Sequence, residues 1–273
     1  MKDTSVALVT GASSGIGEAI ARQLLADGFV VYAAARRLDR MAELKGHGVI
    51  PVRMDVTRDE DVAGVVDVIR QEHGGVDVLV NNAGFGSYGA MEDTSLEDAK
   101  YQFDVNLFGV ARVTRAVLPY MREVRSGCIV NISSMGGKVY TPLGSWYHAS
   151  KHALEGWSDC LRLELAPFGI QVVIIEPGII ETEFGASLLG PMMERSGNSA
   201  YSEMAKVVAS ATEKFYGQGN GSPPAVVAKA VSRAVNARRP KTRYVMGKLA
   251  GPLIFIRKWC GDRMYDKAVM RQT

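Results

Sequence analysis

The stretch Thr10-Gly11-Ala12-Ser13-Ser14-Gly15-Ile16-Gly17 joins the apolar run 6–10 to a segment, 15–27, that has the periodicity of an amphipathic helix. A glycine-rich turn between a strand and a helix aims backbone N–H groups and the helix N-terminus at one point, where a pyrophosphate binds in dinucleotide folds. Glycines also allow tight turns for purely steric reasons, so a structural role stays open. The candidate cofactor contacts in this turn are Gly11, Ser13, Ser14, Gly15, Ile16 and Gly17.

Short apolar runs alternate along the chain with longer segments of helical pattern. Predicted strands are 6–10, 30–35, 49–54, 78–80, 128–132, 171–175 and 244–246, and predicted helices are 15–27, 59–72, 96–124, 147–166 and 225–237. Apolar strands separated by helices predict an α/β fold, a single-domain Rossmann-type doubly wound parallel sheet flanked by helices. The stretch 184–222 contains six glycines and shows no clear period, so we expect an irregular substrate loop there.

Composition excludes several classes of protein. Of the 273 residues, 47% are hydrophobic and 22% are charged, which rules out disordered and collagen-like chains. Cys128, Cys160 and Cys260 are too few for a disulfide framework, and His148 and His152 lack an HExxH pattern, so no metal site is predicted. The sequence has no signal-peptide pattern and no apolar run of about 18 residues, so we expect a cytoplasmic protein without a membrane span.

The end of the second predicted strand bears on the choice of nucleotide. An NAD-binding fold places an acidic residue on the ribose 2′-hydroxyl about 20 residues past the glycine turn, whereas this chain has Ala35-Arg36-Arg37 there. Arginine suits a 2′-phosphate, so Arg36 and Arg37 predict NADP(H) in preference to NAD(H). The alternative is that both arginines simply end the strand in solvent.

Further motifs follow in order along the chain. They are Asn81-Asn82-Ala83-Gly84 after the fourth predicted strand, Asn106-Leu107-Phe108-Gly109, Tyr147-His148-Ala149-Ser150-Lys151, and Pro177-Gly178 with Thr182. Ser134 precedes Tyr147 by thirteen residues. Together with the spacing TGxxxGxG of residues 10–17, this pattern resembles the classical short-chain dehydrogenase/reductase family over roughly the first 180 residues.

The resemblance implies an oxidoreductase and assigns a role to each motif. The catalytic residues would be Asn106, Ser134, Tyr147 and Lys151, of which the last two would also contact the cofactor. Asp55 and Val56 would flank the adenine, Asn82, Ala83 and Gly84 would line the cofactor path, and Pro177, Gly178, Ile180 and Thr182 would face the nicotinamide. Asn106 would stabilise a local irregularity of its helix and a water that relays protons through Lys151. The family also implies a homodimer or homotetramer.

Tyr147 and Lys151 are four residues apart on one predicted helix, so their side chains share a face. A free tyrosine has a pKa of about 10, and a neighbouring ammonium together with a cationic nicotinamide would lower it. In carbonyl reduction we expect Tyr147 to protonate the substrate oxygen while Ser134 hydrogen-bonds that oxygen. The alternatives are a surface Tyr–Lys pair and an ordinary turn at Ser133-Ser134.

The residues expected near the substrate are mostly apolar. They are Phe85, Tyr88, Met135, Val139, Leu143, Ile179, Ile180, Phe184, Leu188, Leu189, Met192 and Met193. Such a lining favours a lipophilic substrate with one or two polar groups, and the segment 241–247 resembles the steroid and retinol dehydrogenase branch of the family. We therefore predict NADP(H)-dependent interconversion of a carbonyl and an alcohol on a steroid-, retinoid- or long-chain-like substrate. Two alternatives stay open: the same chemistry on a small polar carbonyl, and a non-catalytic NADP-binding sensor or scaffold.

Positive charge is concentrated at the C-terminal end. From Lys229 onward there are 12 basic and 2 acidic residues, whereas the preceding part has 20 basic and 27 acidic ones. We therefore divide the chain into a dinucleotide-binding and catalytic domain, 1–248, and a basic amphipathic C-terminal helical extension, 249–273. The extension is interpreted as a helix that covers the core or a subunit contact, or alternatively as a peripheral contact with an anionic membrane. No recognition helix, aromatic platform or dense arginine run is present, so nucleic acid is not an expected partner.

Overall fold

The predicted strands assemble into one parallel sheet in the computed structural model, which describes residues 4–216 and 219–271. The strands are β1 Val6–Thr10, β2 Val30–Ala35, β3 Ile50–Arg53, β4 Val78–Asn81, β5 Gly127–Ile132, β6 Ile170–Pro177 and β7 Arg243–Met246. Their order is β3-β2-β1-β4-β5-β6-β7, and each neighbouring pair is parallel. The prediction of a single-domain, Rossmann-type doubly wound sheet is confirmed.

Helices cover both faces of this sheet. They are α1 Gly15–Ala26, α2 Ala42–Gly46, α3 Asp59–His73, α4 Leu96–Phe103, α5 Val110–Glu123, α6 Ser145–Leu165, α7 Phe184–Ser196, α8 Ser202–Tyr216, α9 Ala225–Val235, α10 Ala250–Trp259 and α11 Asp262–Met270. Within β1, Ala7 and Val9 pack in the core that contains α1 and α9, whereas Leu8 packs in the core that contains α3, α5 and the end of α6. Successive side chains of a strand point to opposite faces, so a strand buried on both sides is apolar throughout.

The strand order reverses between β1 and β4, which are neighbours although two strands separate them in sequence. A doubly wound sheet opens a crevice at such a point, outside the carboxyl ends of the strands. Gly11 follows β1 and Asn82 follows β4, so the two motifs meet at this crevice.

The expectation of irregular backbone over 184–222 is wrong, because α7 and α8 occupy most of that segment. Gly185 lies inside α7, where an added Cβ would be 2.4 Å from the Cβ of Tyr216. Gly197 follows the last residue of α7. Two of the glycines that obscured the helical period, Gly185 and Gly197, therefore allow close packing and mark a helix end.

The predicted helix 96–124 is interrupted by a π-helical turn, Asp104–Gly109, between α4 and α5. The other predicted strands and helices end within two residues of their expected bounds. The C-terminal extension forms α10 and α11, and α11 buries Tyr265 and Val269 against Val139. Among the described residues, no helix has both the length and the hydropathy required to cross a membrane.

Candidate active site

The glycine turn after β1 is held by the end of β4. Thr10 Oγ1 accepts hydrogen bonds from the backbone N–H groups of Asn82, at 3.0 Å, and Ala83, at 2.9 Å. In return, Asn82 Nδ2 donates to the carbonyl oxygens of Thr10, at 2.9 Å, and Gly11, at 3.1 Å. Asn82 thus braces the turn, a role that the sequence pattern alone does not indicate.

The turn also requires glycine for two reasons, a positive φ at Gly11 and Gly15 and a lack of space for a Cβ at Gly17. Gly11 and Gly15 have φ values of +66° and +57°, which L side chains rarely adopt. Gly17 faces the turn so closely that a Cβ would lie 2.4 Å from the Gly11 carbonyl oxygen and 2.5 Å from Asn82 Nδ2. Ser14 precedes α1 without making a side-chain capping hydrogen bond, so its hydroxyl does not occupy the donors of the first helical turn. Those donors fit a phosphate group.

A cleft of about 440 Å³ opens over this turn. Its lining includes Gly11, Ser14, Gly15, Ile16, Gly17, Arg36, Arg37, Asn82, Ala83, Gly84, Ser134, Tyr147, Lys151, Pro177, Gly178, Ile180 and Thr182. Four of the predicted site residues, Ser13, Asp55, Val56 and Asn106, do not line it. The cleft extends from the glycine turn to Tyr147 and Lys151. An extended dinucleotide would have to contact both of these motifs.

The two arginines lie at the end of β2 beside acidic and aromatic side chains. Arg36 Nη1 donates to the Tyr101 hydroxyl at 3.0 Å. Burial raises the pKa of Asp55, but hydrogen bonds from Thr57 and the positive charge of Arg36 outweigh it and hold that pKa below its ordinary value. Arg36 therefore interacts with the carboxylate of Asp55 and also lines the cleft.

The π-helical turn aims Asn106 at the strand-end loop after β4. Asn106 is buried; its Oδ1 accepts from Phe85 N at 3.1 Å and its Nδ2 donates to Phe85 O at 3.0 Å and to Ser150 Oγ at 3.1 Å. A Cβ on Gly84 would lie 3.2 Å from Asn106 Oδ1 and 3.7 Å from Lys151 Nζ. Asn106 therefore links the Gly84 loop to the helix of Tyr147 and Lys151 without lining the cleft itself.

Tyr147 and Ser134 meet through their hydroxyl groups. Ser134 Oγ accepts from Gly136 N at 2.9 Å, and it also forms a hydrogen bond with Tyr147. Burial raises the pKa of Tyr147 and nearby Tyr88 raises it further, while the bond with Ser134 only partly opposes them. Lys151 alone therefore does not produce the lowering expected from the sequence, and the chain's own residues hold Tyr147 as a protonated phenol.

Lys151 lies one helical turn beyond Tyr147 and is buried. Its ammonium donates to the carbonyl oxygen of Ile132, the last residue of β5, at 2.9 Å. Burial lowers the pKa of Lys151 to about 8, although the negative charge of Glu155 opposes this. The lysine is thus fixed in place and close to the range in which it exchanges protons.

His148 positions the loop between Ser134 and α6. Its Nε2 accepts from Thr141 N at 3.1 Å, so Nδ1 carries the proton and donates to Gly136 O at 3.0 Å. Burial lowers its pKa to about 4, which keeps the imidazole neutral. Among the described residues, no group of three His, Cys, Asp or Glu side chains could hold a metal ion.

Aromatic rings surround the Tyr147 hydroxyl side of the cleft. Ring centroids of Tyr147 lie 5.9 Å from Tyr88 and 5.7 Å from Phe184, and Phe184 lies 6.3 Å from Tyr216. The expected lining omits Tyr216, which is supplied by the end of α8. Its sequence signal is a single aromatic residue in a segment without a clear period.

Several residues expected in the lining pack elsewhere. Leu143, Leu189, Met192 and Met193 belong to a hydrophobic cluster that includes the α7–α8 contact. Met135 and Val139 pack against the C-terminal helices. These side chains hold the elements around the cleft.

Comparison with known proteins identifies the class. Residues 5–190 match the family model for short chain dehydrogenases. The chain is 37% identical over 269 residues to a 3-ketodihydrosphingosine reductase from Bacteroides thetaiotaomicron, covering 97% of this chain and 96% of that protein. The chain therefore belongs to the short-chain dehydrogenase family and is an oxidoreductase.

Two solved structures resemble the whole fold. The actinorhodin polyketide ketoreductase, solved with NADPH, superposes with a TM-score of 0.76 at 34% identity over 90% of this chain and 97% of that one. A short-chain dehydrogenase/reductase from Burkholderia phymatum in complex with NAD has a TM-score of 0.79 at 26% identity, over 93% of this chain and 91% of that one. A nicotinamide dinucleotide is the class of cofactor that these relatives support.

Proposed function

We propose that this oxidoreductase uses NADP(H) to interconvert a carbonyl and an alcohol on a lipophilic substrate, with a long-chain keto compound as the preferred class. The observation that carries the proposal is the Tyr147–Ser134 hydroxyl pair, which lies at one end of the cleft beside the aromatic rings of Phe184 and Tyr216. The relative that acts as a 3-ketodihydrosphingosine reductase supports the long-chain class over a steroid or retinoid skeleton.

The protein's part in the reaction is proton transfer and orientation. When bound, the nicotinamide cofactor supplies a hydride to the substrate carbon or accepts one from it. Ser134 Oγ accepts from Gly136 N, and its proton, which is directed at Tyr147 here, would hydrogen-bond the substrate oxygen when a substrate is bound. Tyr147, held protonated, donates its proton to that oxygen, and the ammonium of Lys151 stabilises the phenolate that remains.

Most of the proposed cofactor contacts line the cleft, and Ser13, Asp55 and Val56 lie outside its lining. We assign the pyrophosphate to the turn of Gly11 and residues 13–17, the adenine to the neighbourhood of Asp55 and Val56, and the nicotinamide to residues 177–182. Arg36 and Arg37 would bind the 2′-phosphate. Lys151, Asn82, Ala83 and Gly84 would hold the part of the dinucleotide between these ends.

The 2′-phosphate assignment is tested by the double variant Arg36→Ala with Arg37→Ala. Its dissociation constant for NADPH should rise at least tenfold, about 1.4 kcal/mol, while that for NADH changes little. A matched control is Arg233→Ala, which removes an exposed arginine of α9 that does not line the cleft. Equal weakening of both nucleotides would contradict the assignment.

The reaction is tested by following NADPH absorbance with long-chain ketones, steroid ketones, retinal and polar carbonyls. Tyr147→Phe should lower turnover by about 10²- to 10⁴-fold and leave NADPH binding near wild type, because only the proton donor is lost. Tyr244→Phe, on β7 and outside the cleft, is the matched control. Full turnover by Tyr147→Phe would overturn the mechanism, and turnover only of polar carbonyls would overturn the substrate class.

We further propose a cytoplasmic homodimer or homotetramer that touches membranes through the 249–273 extension. Phe255 and Trp259 are 61% and 68% exposed on α10, beside Arg257 and Lys258. Aromatic side chains flanked by cations suit the surface of an anionic bilayer. Phe255→Ser with Trp259→Ser should abolish sedimentation with anionic vesicles, whereas equal sedimentation of wild type and variant would exclude this contact. For the proposed homodimer or homotetramer, light scattering after gel filtration measures the number of subunits.

A further inference from the structure

Two acidic side chains are buried behind the catalytic helix, where the reaction scheme above does not use them. Glu155 lies one turn beyond Lys151 on α6, and Glu176 is the residue before Pro177 at the end of β6. Only 3% of Glu155 and 2% of Glu176 are exposed. A buried carboxylate is costly unless cations or shared protons compensate it.

Two cations contact the carboxyl groups of Glu155 and Glu176. Lys138 Nζ lies 2.8 Å from Glu155 Oε2, and Arg243 Nε lies 3.1 Å from both Glu155 Oε2 and Glu176 Oε1. Arg243 Nη2 also binds Asp159 Oδ2 at 2.6 Å. Asp159 has a second cation, Arg162 Nη2 at 3.2 Å, whereas Arg243 is the one cation within 4.0 Å of Glu176 in the described part of the chain and is shared with Glu155 and Asp159. Glu176 is therefore the least compensated of the three carboxyl groups.

Glu176 is the group best placed to hold a proton. Burial and the adjacent charge of Glu155 raise its pKa, Lys138 and Arg243 partly oppose them, and the resulting pKa is about 7. Two carboxyl groups in contact titrate as a pair, because the first charge disfavours the second. Oε1 of Glu155 and Oε1 of Glu176 are buried and accept no hydrogen bond from the described residues, as a carboxyl oxygen that carries or shares a proton would.

The carboxyl pair connects the segments that carry the active-site groups. Lys138 directly follows the 3₁₀ turn Met135–Gly137 next to Ser134, and a Cβ on Gly137 would lie 2.9 Å from Glu155 Cγ. Glu155 belongs to the helix of Lys151, and Glu176 precedes the Pro177-Gly178 segment of the cleft. The distances among these three segments therefore depend on one buried ionic cluster.

We propose that Glu155 and Glu176 share one proton and act as positioning residues, holding the Ser134 turn, the Lys151 helix and the Pro177 segment together and maintaining the ammonium of Lys151. The charge of Glu155 favours the protonated lysine across one helical turn. Ionisation of Glu176 adds a second negative charge to the same buried cluster. The state of the pair is then coupled to proton exchange at Lys151. The proposal rests on the proposed function only for its kinetic readout.

The first test is Glu176→Gln, which keeps the shape of the protonated acid and removes its titration. Because the folded-state pKa of Glu176 is raised, its contribution to stability is fully present below its unfolded value and is lost as the pH rises through about 7. The melting temperature of wild type should therefore fall more steeply than that of Glu176→Gln between pH 5 and 8, an interval chosen to bracket the titration. This readout needs neither substrate nor cofactor.

The second test is Glu155→Gln, with turnover of NADPH and a carbonyl substrate measured against pH. Loss of the Glu155 charge should move the alkaline limit of kcat to lower pH by roughly half a unit or more, because the ammonium of Lys151 is then less favoured. Asp159→Asn is the matched control: it removes another carboxylate from Arg243, but one that is partly exposed and also bound to Arg162. Its kcat profile should match wild type.

The outcomes separate the two proposals. Equal dependence of melting temperature on pH in wild type and Glu176→Gln overturns the shared proton, whether or not a substrate is found. An altered melting profile together with an unchanged kcat profile in Glu155→Gln overturns the positioning role. Absence of carbonyl turnover in wild type counts against the proposed function alone, and the melting experiment still decides the state of the carboxyl pair.

Discussion

Replacing Asn106 with alanine removes three hydrogen bonds that cross from the π-helical turn to two other segments. Two of them join Phe85 and one joins Ser150, at 3.0 to 3.1 Å. Each such bond contributes about 1 kcal/mol net, so the free energy of unfolding should fall by about 3 kcal/mol. At roughly 2–4 °C per kcal/mol for a chain of this size, the melting temperature should drop by roughly 6–12 °C.

Urea unfolding followed by circular dichroism measures this loss directly, provided that the denaturant slope is the same in both proteins. Asn236→Ala is the matched control, because Asn236 is an exposed residue at the end of α9 and its loss should change stability by less than about 0.5 kcal/mol. A loss below about 1 kcal/mol for Asn106→Ala would refute the view that this side chain braces the site.

Three other variants test the turn, the loop and the rim of the cleft. Gly17→Ala should destabilise the fold by about 1–3 kcal/mol in urea unfolding and weaken NADPH binding, because its Cβ would lie 2.4 Å from a carbonyl oxygen. Gly64→Ala in α3 is the control: its Cβ would meet nothing within 4 Å, so it should stabilise the fold by about 0.5–1 kcal/mol. Neutral His148 stabilises the fold above its unfolded pKa of about 6.5, and on the order of 3 kcal/mol of this stability is lost as the pH falls through about 4. His148→Gln should therefore lose less unfolding free energy than wild type between pH 7 and pH 4. Equal dependence of unfolding free energy on pH in both proteins would contradict this. Arg40 forms an exposed ion pair, at 2.8 Å, with Glu183, which lines the cleft. If this pair restrains the cleft, Arg40→Gln should leave stability within about 0.5 kcal/mol but speed NADPH release about two- to fivefold in stopped-flow fluorescence. An unchanged release rate would mean that the pair does not restrain the cleft.

The sheet and its order of elements could be predicted from local pattern, because the five inner strands, β1, β2, β4, β5 and β6, are buried on both faces and the helices that pack on them carry an apolar stripe. The glycine turn and the Tyr147 motif could also be found, because the residues of each motif are close in sequence. Alternation and short-range spacing are the properties that a single sequence displays.

Contacts between distant segments leave no such local pattern in the sequence. Tyr216 reaches the cleft only because α8 folds back on Gly185, and the glycines of that region hide the helical period. Glu155 and Glu176 meet through the packing of α6 on β6, and nothing in their spacing of 21 residues indicates a shared proton. The raised pKa of Tyr147 likewise depends on burial by side chains from several elements.

The π-helical turn at Asp104–Gly109 accommodates more backbone per turn than the helices on either side. Removing a single residue there would let α4 and α5 join as one regular α-helix that faces nearly the same way, because the wide π turn already absorbs the extra residue. Val113, Val117 and Met121 would keep facing the core they now fill. The extra residue therefore serves the site and not the core: a one-residue deletion would keep the hydrophobic contacts and lose the aim of Asn106.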